Sequence, residues 1–259
     1  GSWIPFIEVS QKNPGEAFVV VNDYRRNDFR PMVFHTADFG QTFRQIADEK
    51  KVQGHALSIA QDPEVPKHLW LGTDYGLYFS IDGGENWNKW MNGYPSVPTS
   101  DLKIHPRDQD LVIATFGRAL WIFDDIRPFR EIARTEGKVL DQPLKVFPAP
   151  DAYLASYKSY QGYHFPAMAQ FEGETKNAEA ILTVWNKPDS YGAMTAKVPA
   201  PPAPPAAAKG KKAAPAPPPA PEPEKKAAPA KRPERAKVAV LAMNGDTVRT
   251  FSTRLDTGL

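Results

Sequence analysis

The chain contains no cysteine, which excludes disulfide bridges, cysteine-ligated zinc and thiol catalysis. That absence leaves the compartment open, because proteins of oxidising compartments can also do without cysteine. No apolar run approaches the roughly 20 residues needed to span a bilayer, so no membrane span is expected in this chain. The opening residues Gly1-Ser2-Trp3 lack the basic start and apolar stretch of a signal peptide. Five histidines (His35, His55, His68, His105 and His164) form no HxH or HxxxH pair, and neither a metal nor another cofactor is expected. No Ser-His-Asp order and no phosphate-cradling glycine loop occurs. A strong charge of one sign is lacking too. The formal net charge is +2, but residues 199–233 alone hold six Lys, one Arg and two Glu, a local +5 that leaves −3 for the remainder. A mildly acidic remainder argues against a nucleic-acid partner.

What is present is strand material in a repeat. Thr36-Ala37-Asp38-Phe39-Gly40-Gln41-Thr42-Phe43 and Ser80-Ile81-Asp82-Gly83-Gly84-Glu85-Asn86-Trp87 share the pattern Ser/Thr-x-Asp-x-Gly-x-Thr/Asn-aromatic, with the two aspartates 44 residues apart. A fixed period of that size marks blade repeats. Each copy continues upstream in the same way: an apolar strand, an Asn13-Pro14, Asp62-Pro63 or His105-Pro106 corner, and a second apolar strand. The second strands are residues 17–21, 69–73 and 111–115, followed by 32–36, 76–80 and 119–123. β-Branched and aromatic residues bounded by Pro, Gly and Asp read as short strands. The third copy ends in Asp124-Asp125-Ile126-Arg127-Pro128, without the glycine and closing aromatic. Terminal repeats are expected to be atypical.

The eight-residue pattern resembles the Asp-box (BNR repeat) of sortilin-like (VPS10) and sialidase-like β-propellers. The resemblance implies an all-β chain: the last blades of a propeller over residues 1–130, with the remaining blades supplied by a preceding polypeptide. It implies structural roles for Thr36, Asp38, Gly40, Phe43, Ser80, Asp82, Gly84 and Trp87. The aspartate accepts N–H bonds within the hairpin, glycine supplies a positive φ, and the aromatic packs between sheets. The segment Gly117-Arg118-Ala119-Leu120-Trp121-Ile122-Phe123-Asp124-Asp125 resembles the Gly-Arg-Gly-x-Trp-x-x-Asp-Asp signature that closes such propellers, with Ala119 in the place of the second glycine. Arg118 reads two ways, as a guanidinium aimed at a carboxylate ligand or as the partner of Asp124 or Asp125. If the blade tops form a ligand surface, its candidate members are Asp74, Tyr75, Phe116, Arg118 and Trp121.

Residues 131–177 read as a connector, with an exit strand at 146–150 and an aromatic run (Tyr153, Tyr157, Tyr160, Tyr163) that suits either packing or sugar stacking. Residues 178–259 resemble an incomplete immunoglobulin-like β-sandwich. Its strand at 180–185 is expected to face 236–243, which continue through Asn244-Gly245 into a hairpin. The insert 199–233, with 13 Pro and 12 Ala, cannot bury apolar surface and is expected to stay disordered.

Three functions stay open on the sequence. The first is a non-catalytic binding module of a bacterial envelope or secreted protein that recognises a protein, peptide or glycan. The second is a glycoside hydrolase whose paired carboxylates lie in blades outside this chain. The third is a scaffold subunit of a surface complex. No catalytic residue is assigned, because no carboxylate stands in a recognisable catalytic context.

Overall fold

The structure, a computed structural model, describes residues 1–152, 180–187, 235–241 and 247–254. Three consecutive antiparallel meanders account for most of it. The first sheet runs in the order β1 (Trp3–Val9), β2 (Ala17–Asp23), β3 (Asp28–Thr36) and β4 (Arg44–Ala47). The second repeats it with β5 (Ala56–Gln61), β6 (Leu69–Thr73), β7 (Gly76–Ser80) and β8 (Asn88–Trp90). The third holds three strands, β9 (Thr99–Ile104), β10 (Leu111–Thr115) and β11 (Leu120–Phe123). These are β-propeller blades, and the first strand of the middle blade lies beside the first strands of both neighbours.

Alternation along the strands sends one set of side chains to each face. Phe18, Val20 and Val33 pack against Ile59, Leu69, Leu71 and Trp87 to join the first two blades. Trp70 and Leu77 on the other face of the middle blade meet Leu102, Leu111 and Ile113 of the third. At that second joint Gly72 is required by space. A Cβ there would lie 2.4 Å from the Thr99 carbonyl oxygen and 2.4 Å from Ser58 Oγ. Ile7 and Val9 at one end of the arc, and Leu120 and Ile122 at the other, remain exposed.

Where a fourth strand would complete the third blade, the chain forms helix α1 (Arg127–Arg134). Pro128 sits in its first turn, where the missing N–H costs nothing. The sequence reading placed only a strand stop and a connector here. Phe129 stacks beside His68 and contacts Trp70, Phe79, Trp90 and Phe123, so the helix plugs the joint between blades two and three. Arg130 follows it inward, at 1% exposure. Its Nε donates to Asp62 Oδ2 at 2.7 Å, its Nη1 lies 2.8 Å from Glu64 Oε1, and Gln109 accepts a further bond.

The exit strand lies slightly upstream of its expected position, as β12 (Leu144–Val146), and it pairs with β13 (Val184–Asn186). The strand expected over 180–185 is observed as β13, one edge of which is paired with β12, and Trp185 Nε1 donates to the Leu140 carbonyl. The chain divides into two compact units, Gly1–Trp185 and Asn186–Leu259. In the second, β14 (Arg235–Leu241) and β15 (Thr247–Arg254) pair as an antiparallel hairpin. The Asn244-Gly245 turn, the tyrosine run at 153–163 and the insert 199–233 lie outside the described residues.

Candidate functional site

The two Asp-boxes carry matching hydrogen bonds. Asp38 accepts from the N–H groups of Gln41 and Thr42 and from the hydroxyls of Thr36 and Thr42. Asp82 accepts from the N–H and side-chain amide of Asn86 and from Ser80 Oγ. Thr36 and Ser80 in turn accept from Gly40 N–H and Gly84 N–H, whose φ angles are +82° and +87°. The Thr42 side-chain and backbone bonds, with that of Thr36, hold the Asp38 carboxyl at about 2. These oxygens are saturated by their own hairpin. The closing aromatics differ: Trp87 is buried and donates through Nε1 to the Ile46 carbonyl, whereas Phe43 is 53% exposed. At that exposure Phe43 does not share, among the described residues, the covered position that Trp87 holds between two sheets.

Successive turns of an antiparallel meander alternate between its two ends. The Pro corners of all three blades and the Asp-boxes of the first two share one end; the β2–β3, β6–β7 and β10–β11 turns share the other, together with the segments joining blades. On that second face the three turns place Tyr24, Tyr75 and Phe116 just after β2, β6 and β10, and all three are exposed. Trp3 and Phe29 add two more exposed aromatic rings, bringing the surface to five.

The members touch in sequence across the blades. Tyr24 stacks on His55 with centroids 5.5 Å apart, and His55 Nδ1 lies 3.1 Å from Asp74 Oδ2. Asp74 N–H donates to the His55 carbonyl, which fixes the next residue, Tyr75. Lys89 Nζ lies 4.2 Å from the Tyr75 ring centroid and donates to Ser96 Oγ at 3.0 Å. Two residues beyond Ser96, the Pro98 carbonyl accepts from Phe116 N–H. Burial lowers the Lys89 ammonium from its ordinary value.

Of the five surface residues expected from the sequence, four lie on this strip, and Trp121 departs from it. Its register opposite Ile113 turns it to the core side, where it meets Tyr94 edge-on at 5.5 Å and donates to the Arg118 carbonyl. Arg118 is exposed and does not pair with Asp125, whose carboxylate is held by Arg127 at 2.5 Å. Ala119 reaches φ +57° in this turn, the conformation the missing glycine would take without strain. The sequence reading missed Arg25, whose guanidinium sits 5.4 Å from the Trp3 ring centroid and 5.3 Å from that of Tyr24.

Carboxylates at other positions have structural partners. Burial pushes the Asp62 carboxyl up, but bonds from His68, Arg130 and Glu64 N–H outweigh it and leave the group at about 2. Glu8 on β1 is held above its ordinary range, chiefly by burial with Asp101 adding, against Lys103 and the Gln61 N–H. A 320 Å³ groove beside α1 is lined by Glu131, Arg134, Glu136, Lys138 and Lys145 among others. Its charges already satisfy one another, as in the 2.6 Å Lys145–Glu131 pair. Among the described residues no cluster of three or more metal-ligating side chains occurs, and no helix is long and apolar enough to cross a membrane.

No protein-family model matches the chain, and no curated protein matches it. Among solved structures, it is similar to a GH74 enzyme of Niastella koreensis, at 19% identity and TM-score 0.41, over 47% of this chain and 21% of that one. A GH74 xyloglucanase from Xanthomonas campestris gives 18% identity and TM-score 0.39, over 47% and 22%. YCF48 from Cyanidioschyzon merolae gives 19% identity and TM-score 0.32, over 47% and 34%. The chain thus spans about a fifth of the GH74 proteins and a third of YCF48.

Proposed function

We propose that the chain is part of a non-catalytic, sortilin-like propeller binding module of a bacterial envelope or secreted protein, and that it holds a protein or glycan ligand on the face built by the β2–β3, β6–β7 and β10–β11 turns. One observation carries the reading: an exposed aromatic recurs at the same turn of all three blades, where it adds nothing to the core. Exposed rings in a contiguous strip are what a binding surface needs and what a merely soluble surface avoids. The ring of blades is completed by a preceding polypeptide, for which the exposed apolar ends at Ile7, Val9, Leu120 and Ile122 are suited. Glu8 serves the wall formed by the first strands, with Lys103 as its counter-charge.

The test is an array of immobilised glycans and peptides probed with the chain and with its Tyr75→Ala/Phe116→Ala variant. Retention of a ligand that weakens about tenfold or more in the variant supports the reading. Retention unchanged by the variant, or release of new reducing ends from a retained glycan, overturns it.

A further inference from the structure

Each blade adds a cation to its exposed aromatic on the turn face. Arg25 lies over Trp3 and Tyr24, Lys89 lies over Tyr75, and Arg118 stands two residues from Phe116 in the β10–β11 turn. The arginines among residues 1–152 show how unusual these sites are. Seven of the nine contact a carboxylate: Arg26, Arg30, Arg44, Arg107, Arg127, Arg130 and Arg134. The two left without one among the described residues are Arg25 and Arg118, and both lie on this face.

The acids nearby do not neutralise the three cations. Asp23 and Asp28 are engaged by Arg26 and Arg30, the run Asp48-Glu49-Lys50-Lys51 is balanced within itself, and Asp74, 3.1 Å from His55 Nδ1, sets one negative charge against the three cations. The strip therefore keeps a net positive charge beside aromatic rings in a unit whose remainder is mildly acidic. A ligand that matches it must carry a negative charge and an apolar ring face close together, and must repeat both from blade to blade. A sugar acid in a polymer does so, because its C–H face lies on an aromatic ring while its carboxylate meets a guanidinium or ammonium. A peptide carries charge and apolar surface at irregular spacing and has no ring face at every unit.

We infer that the turn face binds an acidic polysaccharide, a polyuronate, with Tyr75 and Phe116 as stacking platforms and Arg25, Lys89 and Arg118 as carboxylate partners. This rests on the reading of the chain as a binding module and names its ligand class.

The test is affinity electrophoresis of the chain through gels containing polygalacturonate, the same polymer with its carboxyls methyl-esterified, or poly-glutamate. Retardation is expected in polygalacturonate alone. It should weaken on raising salt from 50 to 200 mM, since screening over about 10 Å reaches exposed pairs. Arg25→Ala and Arg118→Ala should each weaken it about fivefold, and Tyr75→Ala about tenfold, with melting temperatures unchanged because all three side chains are exposed. Equal retardation by the esterified polymer would show that charge is not read. Equal retardation by poly-glutamate would show an indiscriminate anion surface, and no retardation by polygalacturonate would leave the class without support. Each of these overturns the inference. The binding-module reading survives all three if the array still finds a neutral glycan or peptide sensitive to Tyr75→Ala/Phe116→Ala, and falls if it does not or if a retained glycan is cleaved.

Discussion

Replacing Arg130 by methionine keeps the length of the side chain and removes its charge. The consequence falls on Asp62, which is fully buried and loses two contacts from Arg130 Nε, at 2.7 and 3.0 Å. His68 Nδ1 at 3.1 Å and the N–H groups of Glu64 and Val65 remain, so the carboxylate keeps hydrogen bonds but no permanent positive charge. Breaking one side of a buried ion pair costs about 3–5 kcal/mol. For a unit of this size that lowers the melting temperature by roughly 6–20 °C. Urea unfolding followed by tryptophan fluorescence reports it directly, because Trp70 and Trp90 contact Phe129 one residue away. Arg130→Met combined with Asp62→Asn should cost much less than the sum of the single changes, since the double variant leaves no unpaired charge. A loss below about 1 kcal/mol in Arg130→Met, or strict additivity in the cycle, would refute the view that this pair pins α1 to the blades.

The same cluster makes stability depend on pH. Burial lowers the His68 imidazole, so the unfolded chain takes up a proton near pH 6.5 that the folded one refuses, and stability should fall as pH drops below that value. Asp62, held at about 2, adds stability that is present above its unfolded value near 3.8 and is lost on acidification toward 2. Urea midpoints flat from pH 7 to 5 would contradict a neutral His68. Gly72→Ala should destabilise by about 1–3 kcal/mol, because its methyl would meet the Thr99 backbone at 2.4 Å; a melting temperature within error of the parent chain would disprove the close approach. Trp87→Ala should cost about 3–5 kcal/mol and Phe43→Ala under about 0.5 in this chain, as judged by urea midpoints. A comparable loss at both would show that Phe43 is covered.

The blades were legible in the sequence because their signals are local. An Asp-box closes its hydrogen bonds within eight residues, and β-strand alternation needs only neighbours. Tyr75 and Phe116 were found by aligning one turn with the next, and the same alignment reaches Tyr24 and Arg25. It was missed because the first turn is longer and has Asn27, at φ +63°, in place of a glycine. Trp121 could have been set on the core side by counting from Ile113 across the β10–β11 turn. Helix α1 was not legible: eight residues form little helix alone, and its anchor to Asp62 lies 68 positions away. The Arg118–Asp125 pairing failed for a conformational reason. Asp125 takes φ +57°, and its carboxylate caps Arg127 N–H as well as binding its guanidinium.

The clasp between Arg130 and Asp62 also bears on the order of folding. Each meander is made of contacts between neighbouring hairpins, whereas the helix can dock only after the corner of a strand pair 68 residues earlier has formed. Closing such a loop is rewarded late, so the helix should add little to the transition state and much to the lifetime of the folded blades. In stopped-flow measurements Arg130→Met should then leave refolding nearly unchanged while unfolding accelerates by roughly two to four orders of magnitude, the ~3–5 kcal/mol expressed as a rate. The helix acts as a kinetic latch on the last joint of the arc.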